Sequence, residues 1–216
     1  MTQPTMYSKE WSEDQIGNFM LAANNILNAL PSSFTEPKIG DDIAINKCGY
    51  TAGRKDTPQR FAKMLMEMLE GELYTNDEIV QLFKDKVFTE QTTNSIDCEF
   101  ENVKCFSFCE HHLALMYDIN IDIKILYSPD DNNRVKVVGL SKIPRICDLV
   151  CKRLQLQERI TSDIHYIISS LLNVPIEVTV RGKHSCVSAR GIKKDIVFTS
   201  KQATPITISQ TNGIAI

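Results

Sequence analysis

The sequence lacks any long apolar run, since no stretch approaches the roughly 18 consecutive apolar residues of a membrane-spanning helix. Residues 1–15 contain no apolar core of signal-peptide length. Internal repeats, low-complexity tracts and an excess of basic residues are missing as well: the formal net charge is -3. We therefore expect a cytoplasmic protein with no membrane partner, and one that does not coat nucleic acid. The net charge does not argue against a pocket that binds one phosphorylated small molecule, because the charge around the pocket decides such binding.

The seven cysteines are an odd number, which prevents complete pairing into intramolecular disulfides. A reducing compartment, expected from the missing signal peptide, also favours thiols or metal ligands over disulfides.

The N-terminal part of the chain shows helical patterns. Residues 12–30 predict a helix with a capping box formed by Ser12 and Gln15. Residues 31–56 predict a linker, and Thr57 predicts the cap of a second helix that Gly71 can end. A short third helix follows, capped by Thr75 and Glu78.

After these helices the apolar residues recur at every second position, as in a β-strand. The isoleucines between 119 and 125 alternate with polar residues, which predicts a strand with one wet face. Residues 128–134 predict a turn and 135–138 the returning strand, whereas 142–172 predict two consecutive helices. Residues 176–181 and 195–199 predict further strands. The expected fold class is α+β: N-terminal helices, then an antiparallel sheet with two helices on one face. The other face then needs a cover, such as another subunit.

One metal-ligand pattern is Cys109-Glu110-His111-His112, because a thiolate and an imidazole three residues apart can reach one ion. A buried cysteine beside surface histidines fits this short pattern equally well. Three of the four histidines, however, belong to this cluster or to the cluster around Cys186.

That second cluster is Lys183-His184-Ser185-Cys186, with Arg190 close behind it. Cys109, His112 and Cys186 would give a zinc ion three protein ligands. The fourth coordination position then stays open for water, which distinguishes a catalytic zinc from a structural one. Cys105 is a rival ligand, and His184 is either a proton donor or a fourth ligand.

A third group of residues suits an anion. Lys142 and Arg145 fall at the start of a predicted helix, where basic side chains oppose the helix dipole unless an anion is present. Ser141 is either the cap of that helix or part of the site. Glu158 lies among basic residues, and a surface ion pair accounts for it as well as a ligand contact does.

Taken together, these residues resemble the GTP cyclohydrolase I family. The resemblance is carried, in the family's order, by DTPQRFAKM (56–64), SFCEHHL (107–113), GLSKIPR (139–145), KRLQLQERIT (152–161) and HSCVSARG (184–191).

The resemblance implies the tunnelling fold, with subunits joined edge to edge into rings and two pentameric rings stacked as a homodecamer. It divides the chain into an N-terminal helix and linker (1–55) and a catalytic domain (56–216). It also implies active sites built from neighbouring subunits.

The resemblance further implies a reaction: Zn²⁺-dependent hydrolysis of GTP at C8, with release of formate and rearrangement to 7,8-dihydroneopterin triphosphate. The metal ligands implied are Cys109, His112 and Cys186, and the catalytic residues are His184, His111 and Ser141. Substrate binding is assigned to Glu158 and Gln157 at guanine and to Lys142, Arg145, Arg190 and Arg60 at the triphosphate.

The sequence is also compatible with two alternative functions. A tunnelling-fold relative that acts on another purine or pterin uses a cysteine nucleophile in place of zinc chemistry. A non-catalytic ring protein that binds nucleotide is the second alternative, and a missing zinc ligand would favour it.

Overall fold

The computed structural model describes residues 9–29 and 56–204, which belong to two compact units, Met1–Leu73 and Tyr74–Ile216. Each unit is described by itself. The predicted linker lies outside the described residues except for Asp56. The predicted division at residues 55 and 56 stays a prediction.

The described residues of the first unit form two α-helices, α1 (Glu13–Ala29) and α2 (Thr57–Met68), which pack together. The predicted capping box is confirmed, because Ser12 N donates to Gln15 Oε1 at 2.9 Å and Gln15 N donates to Ser12 Oγ at 3.2 Å. The predicted cap of α2 is wrong: Asp56 occupies the cap position, so Thr57 already has helical geometry. A 3-10 turn at Glu70–Leu73, which contains Gly71, follows this helix.

Between residues 74 and 204 the second unit has three longer helices: α3 (Asn76–Lys84), α4 (Lys142–Cys151) and α5 (Gln157–Leu172). Thr75 and Glu78 form the predicted capping box of α3. The two consecutive helices predicted within 142–172 are confirmed as α4 and α5. Helix α4 packs on strand β2 and α5 packs on strands β6 and β7, so both cover the sheet.

The main sheet has five strands in the order β5-β2-β3-β6-β7. Their bounds are Ile96–Cys109 for β2, Ala114–Tyr127 for β3, Leu154–Gln155 for β5, Ile176–His184 for β6 and Phe198–Ala203 for β7. All neighbours are antiparallel except β5, which pairs with β2 in parallel. The predicted antiparallel sheet is therefore right apart from this edge.

A separate two-stranded ribbon joins β1 (Val87–Gln91) to β4 (Arg134–Val138). The predicted strand at 135–138 exists, but it does not return along β3 as a hairpin partner. Strand β3 has only two edges, and β2 and β6 occupy both of them. The chain after the turn at 128–134 therefore finds its partner in β1, which precedes the main sheet.

The sequence-based prediction placed the last strand at 195–199, but β7 spans Phe198–Ala203. Ile196 and Val197, which suggested a strand, are 40% and 55% exposed and precede β7. Strand β7 is mostly polar in sequence, and only one of its edges pairs within the described part of the chain.

The two faces of the sheet differ in chemistry. The isoleucines of β3 from 119 to 125 are at most 1% exposed. The opposite face carries ion pairs across strands: Lys124 binds Glu99 at 2.8 Å, Lys201 binds Glu177 at 2.6 Å, and Arg181 pairs with Asp122. Charged pairs of this kind are compatible with water, and the cover expected for this face stays a prediction. Among the described residues, no helix is long and apolar enough to cross a membrane.

Candidate active site

The first part of the site is the tight turn between β2 and β3. Strand β2 ends at Cys109, and the backbone N–H groups of His112 and Leu113 both donate to the Cys109 carbonyl, at 3.3 and 2.9 Å. Leu113 completes the turn with a left-handed backbone, φ 48°. This geometry brings Cys109 Sγ to 3.7 Å from His112 Nδ1.

The short helix directly after strand β6 supplies the third ligand. Strand β6 pairs with β3 so that His184 lies opposite Met116, and the short helix α6 (Ser185–Ser188) follows directly. Cys186 thereby reaches the turn that carries Cys109, although 77 positions separate them in the sequence (186 − 109). The ligand atoms of Cys109, His112 and Cys186 all lie within 4.8 Å of one another.

These distances fit a zinc ion. Zn–S bonds of about 2.3 Å and Zn–N bonds of about 2.0–2.1 Å, at tetrahedral angles, put sulfur and nitrogen ligands about 3.6 Å apart. The 3.7 Å between Cys109 and His112 agrees with that edge. The predicted ligand set is therefore brought together in a geometry that a zinc ion can occupy.

Cys105, the rival ligand, lies elsewhere. Its thiol interacts with Cys151 at the end of α4. A register shift between Cys105 and Ser107 interrupts the alternation of β2 before it reaches Cys109. The two cysteines therefore do not share the orientation that their spacing of four suggests.

The electrostatics of the thiols suit a cation. Burial and the neighbouring Cys109 thiol raise the pKa of Cys186, while the Arg190 guanidinium opposes that rise. Without a cation the protonated form of the Cys186 thiol is favoured. Zinc binds the thiolate forms and releases their protons, so metal binding and deprotonation are coupled at this pair.

A pocket of about 220 Å³ opens beside the three ligands. It brings together the predicted catalytic and guanine-binding side chains His111, His184, Gln157 and Glu158. Four residues that the sequence analysis did not assign to the site complete the lining: Gln155, Leu156, Val187 and Phe198. This pocket joins the ends of β2, β5 and β6 to the start of α5.

His184 lies in the pocket without joining the metal ligands. Its Nε2 is 3.1 Å from Gln157 Oε1, and its ring meets the Phe198 ring edge to face, with centroids 5.2 Å apart. Burial lowers the pKa of His184, and the Glu158 carboxylate opposes that effect. Among the described residues, only Cys109, His112 and Cys186 form a metal group, which leaves the fourth position open.

Neither Ser141, predicted as a catalytic residue, nor the predicted triphosphate-binding residues line this pocket. Ser141, Lys142 and Arg145 lie at the start of α4, where Ser141 occupies the cap position without a side-chain cap bond. Arg190 is likewise absent from the lining, although its charge acts on Cys186. Arg60 belongs to the first unit, where it pairs with Asp56 at 3.3 Å.

An ion pair at the edge of the site was missed by the sequence analysis. Arg159 at the start of α5 binds Glu110, between two predicted site residues in the turn after β2. The hydrogen bond from Arg159 lowers the pKa of Glu110. Both residues fall inside the motifs, but no spacing rule connects two motifs so far apart in the sequence.

Known proteins are similar to this chain over most of its length. The family model described as GTP cyclohydrolase I matches residues 43–211. Proteins named GTP cyclohydrolase 1 from Clostridium botulinum strain Loch Maree and strain Hall are 43% and 45% identical to this chain over 156 and 157 residues. Each alignment covers 70% of this chain and 76% of the relative. A protein of the same name from Clostridium acetobutylicum is 41% identical over 73% of this chain and 80% of its own length. This chain belongs to the GTP cyclohydrolase I family.

Proposed function

We propose that this chain is a zinc-dependent GTP cyclohydrolase that hydrolyses C8 of the guanine ring, releases formate and forms 7,8-dihydroneopterin triphosphate. One observation carries the proposal: Cys109, His112 and Cys186 converge at a pocket that also contains His184 and Glu158. A nucleophilic cysteine is not needed in this arrangement, because both pocket thiols belong to the metal group.

When bound, zinc supplies the Lewis acidity that activates water near neutral pH. The chain contributes the ligand set, two thiols and one imidazole, which suits zinc. It also contributes the open fourth position, because no further described residue completes the group.

Glu158 is proposed to select guanine. The guanine edge offers two donors, N1–H and the exocyclic amino group, and one carboxylate can accept both. Adenine lacks this pair of donors, so its binding leaves the carboxylate unpaired, which is costly in a pocket. Glu158 lies at the second residue of α5, next to the lining residue Gln157.

His184 is proposed to donate a proton to the purine nitrogen that leaves C8 as the imidazole ring opens. It is a side chain of the right type for this step, because histidine exchanges protons near neutral pH. Its hydrogen bond with Gln157 and its contact with Phe198 fix the ring in the pocket. His111, also in the lining, is proposed to assist around the water and the purine.

Ser141, Lys142, Arg145, Arg190 and Arg60 are proposed to bind the ribose and triphosphate in an oligomer. The first three lie outside the pocket lining, so a shared site between subunits accounts for them better than a site in one subunit. We propose a homodecamer of two stacked pentameric rings. Two features support it: the outer edge of β7 has no partner strand in the part of the chain that the structure describes, and Ile196 and Val197 before it are exposed. Light scattering that gives a monomer mass at micromolar concentration would contradict this assembly.

Purified protein incubated with GTP tests the reaction. Oxidation of the product should give a fluorescent pterin, and a chelator should abolish its formation until zinc is restored. Cys186→Ser should lose both zinc and turnover, because one of the three ligands is gone. Cys98→Ser is the matched control, since Cys98 lies on β2 outside the metal group and should leave both unchanged. Full zinc occupancy in Cys186→Ser would refute the site.

A further inference from the structure

The side-chain amide of Gln157 has a fixed orientation. Its Nε2 donates to two backbone carbonyls, Val180 O at 3.1 Å and Phe198 O at 2.8 Å. Carbonyl oxygens only accept hydrogen bonds, so both N–H groups of the amide are used and the amide cannot be flipped. The oxygen Oε1 must therefore be the atom that faces His184.

This orientation determines which nitrogen of His184 carries a proton. Oε1 of Gln157 only accepts, and it lies 3.1 Å from His184 Nε2. The Nε2 atom must then donate, so it holds a hydrogen. A neutral imidazole has one N–H, and the bond made by one nitrogen sets the state of the other, so Nδ1 has none.

The surroundings hold this arrangement in place. Gln157 is only 4% exposed, and its backbone carbonyl accepts from Thr161 Oγ1 at 3.1 Å and Ser200 Oγ at 3.3 Å. Gly182 lies beside the amide: a Cβ there would make an ordinary contact of 3.5 Å with Gln157 Oε1 and a tight one of 3.1 Å with Ile119 Cγ1. Gln157 is therefore held at two places: its backbone carbonyl accepts hydrogen bonds from Thr161 and Ser200, and its side-chain amide donates to Val180 and Phe198.

We propose that Gln157 is a positioning residue that holds His184 as the Nε2–H tautomer, and that it is not a guanine ligand. The donors of its amide are already used within the protein, so its side chain has no N–H left for a substrate carbonyl. The inference rests on the proposed function for its catalytic meaning: His184 first takes up a second proton from solvent at Nδ1 and becomes an imidazolium, while Nε2–H stays bonded to Gln157. The Nδ1 proton then passes to the purine nitrogen, and Nδ1 keeps the electron pair.

The tautomer can be observed directly by solid-state NMR of protein labelled with ¹⁵N-histidine. The chain has four histidines, and the spectrum of His184→Gln identifies the signals of His184. At about pH 8, above the ordinary histidine pKa of about 6.5, the ring is neutral. We expect a protonated Nε2 and a bare Nδ1. A protonated Nδ1 with a bare Nε2 would overturn the proposal, and this measurement needs neither GTP nor turnover.

The functional consequence is tested with Gln157→Leu, which keeps the approximate size of the side chain and removes the acceptor. We expect kcat to fall by about 10- to 100-fold, part of the usual contribution of a positioned acid, with KM for GTP changed by less than about 3-fold because ground-state binding is intact. The His184 signals should shift toward a mixture of tautomers.

A matched control exists in the same unit. Gln202 on β7 also bonds a histidine, with Nε2 3.3 Å from His165 Nδ1, and neither residue lines the pocket. Gln202→Leu should change the His165 signals and leave kcat and the His184 signals unchanged.

Each kinetic outcome decides the proposal. A raised KM with unchanged kcat in Gln157→Leu would make Gln157 a substrate ligand, and unchanged kcat and KM would remove its role altogether. If the wild-type protein shows no turnover of GTP, the proposed function fails, but the NMR result still confirms or refutes the tautomer.

Discussion

Replacement of Glu158 by alanine should weaken GTP binding by a predictable amount. Its carboxylate lies in the pocket and acts on His184 there. Two charge-assisted hydrogen bonds to guanine would be lost, and the guanine donors would be left unpaired, at a cost of about 2–4 kcal/mol. At 1.4 kcal/mol for each tenfold change, the dissociation constant for GTP should rise by about 30- to 700-fold.

Isothermal titration of the zinc-loaded protein with GTP and with ATP measures this difference. Glu158→Ala should lose affinity for GTP, whereas its weak affinity for ATP should hardly change because adenine lacks the two donors. Glu177→Ala is a suitable control: Glu177 forms an exposed ion pair with Lys201 at 2.6 Å, so its loss should leave nucleotide affinity unchanged. GTP affinity in Glu158→Ala equal to that of the wild type would refute the assignment and leave Glu158 as a pocket residue without a role in recognition.

Two further predictions concern His184 and the polar face of the sheet. His184→Ala should keep zinc by metal analysis and still bind GTP, yet lose turnover by about 100-fold or more; loss of zinc would instead make His184 a ligand. The backbone N–H of Asn102 and, to a lesser degree, the Arg181 side chain lower the pKa of Asp122 in the folded protein. The ionised carboxylate therefore stabilises the fold fully above its unfolded pKa of about 3.9. That contribution is lost as the pH falls through the lower folded pKa. Asp122→Asn should therefore reduce the free energy of unfolding at pH 7 by about 1 kcal/mol or less, because the pair with Arg181 is partly exposed. In urea titrations near pH 2, the difference in free energy of unfolding between Asp122→Asn and the wild type should vanish. An equal difference at pH 7 and at pH 2 would contradict this link between the pKa and stability. Asp131→Asn, a substitution at an exposed turn residue, is the control.

The local features of this chain could be predicted from the sequence because they depend on neighbouring residues. The capping boxes at Ser12 and Thr75 each need two side chains three positions apart. The metal pair Cys109 and His112 lies within one turn for the same reason. Cys186 was proposed as the third ligand from the residue types of its cluster and from the resemblance to a family, because the pairing of β3 with β6 that brings it close is not visible in local spacing.

Strand pairing was harder to predict. Strand β2 was missed because its sequence mixes polar and apolar residues, and two register shifts, after Phe100 and after Cys105, break its alternation. The strand β4 was paired wrongly because proximity in sequence favours a hairpin with β3, whereas both edges of β3 are filled by β2 and β6. Competition between strands for an edge depends on the whole sheet.

The hydrogen bond between Gln157 and His184 also could not have been predicted. It depends on two backbone carbonyls, from Val180 and Phe198, that fix the amide. The sequence shows the residue types, but it does not show which backbone atoms surround them.

X-ray absorption at the zinc edge tests the central claim most directly, because it reports the ligands of the metal itself. The structure predicts two sulfur ligands at about 2.3 Å, one imidazole nitrogen at about 2.0–2.1 Å and one further light atom from solvent. Cys186→Ser should remove one of the two sulfurs from any residual signal. A site with three sulfurs, or with a second imidazole that disappears in His184→Ala, would contradict the account, because it would require a ligand set other than Cys109, His112 and Cys186 with an open fourth position.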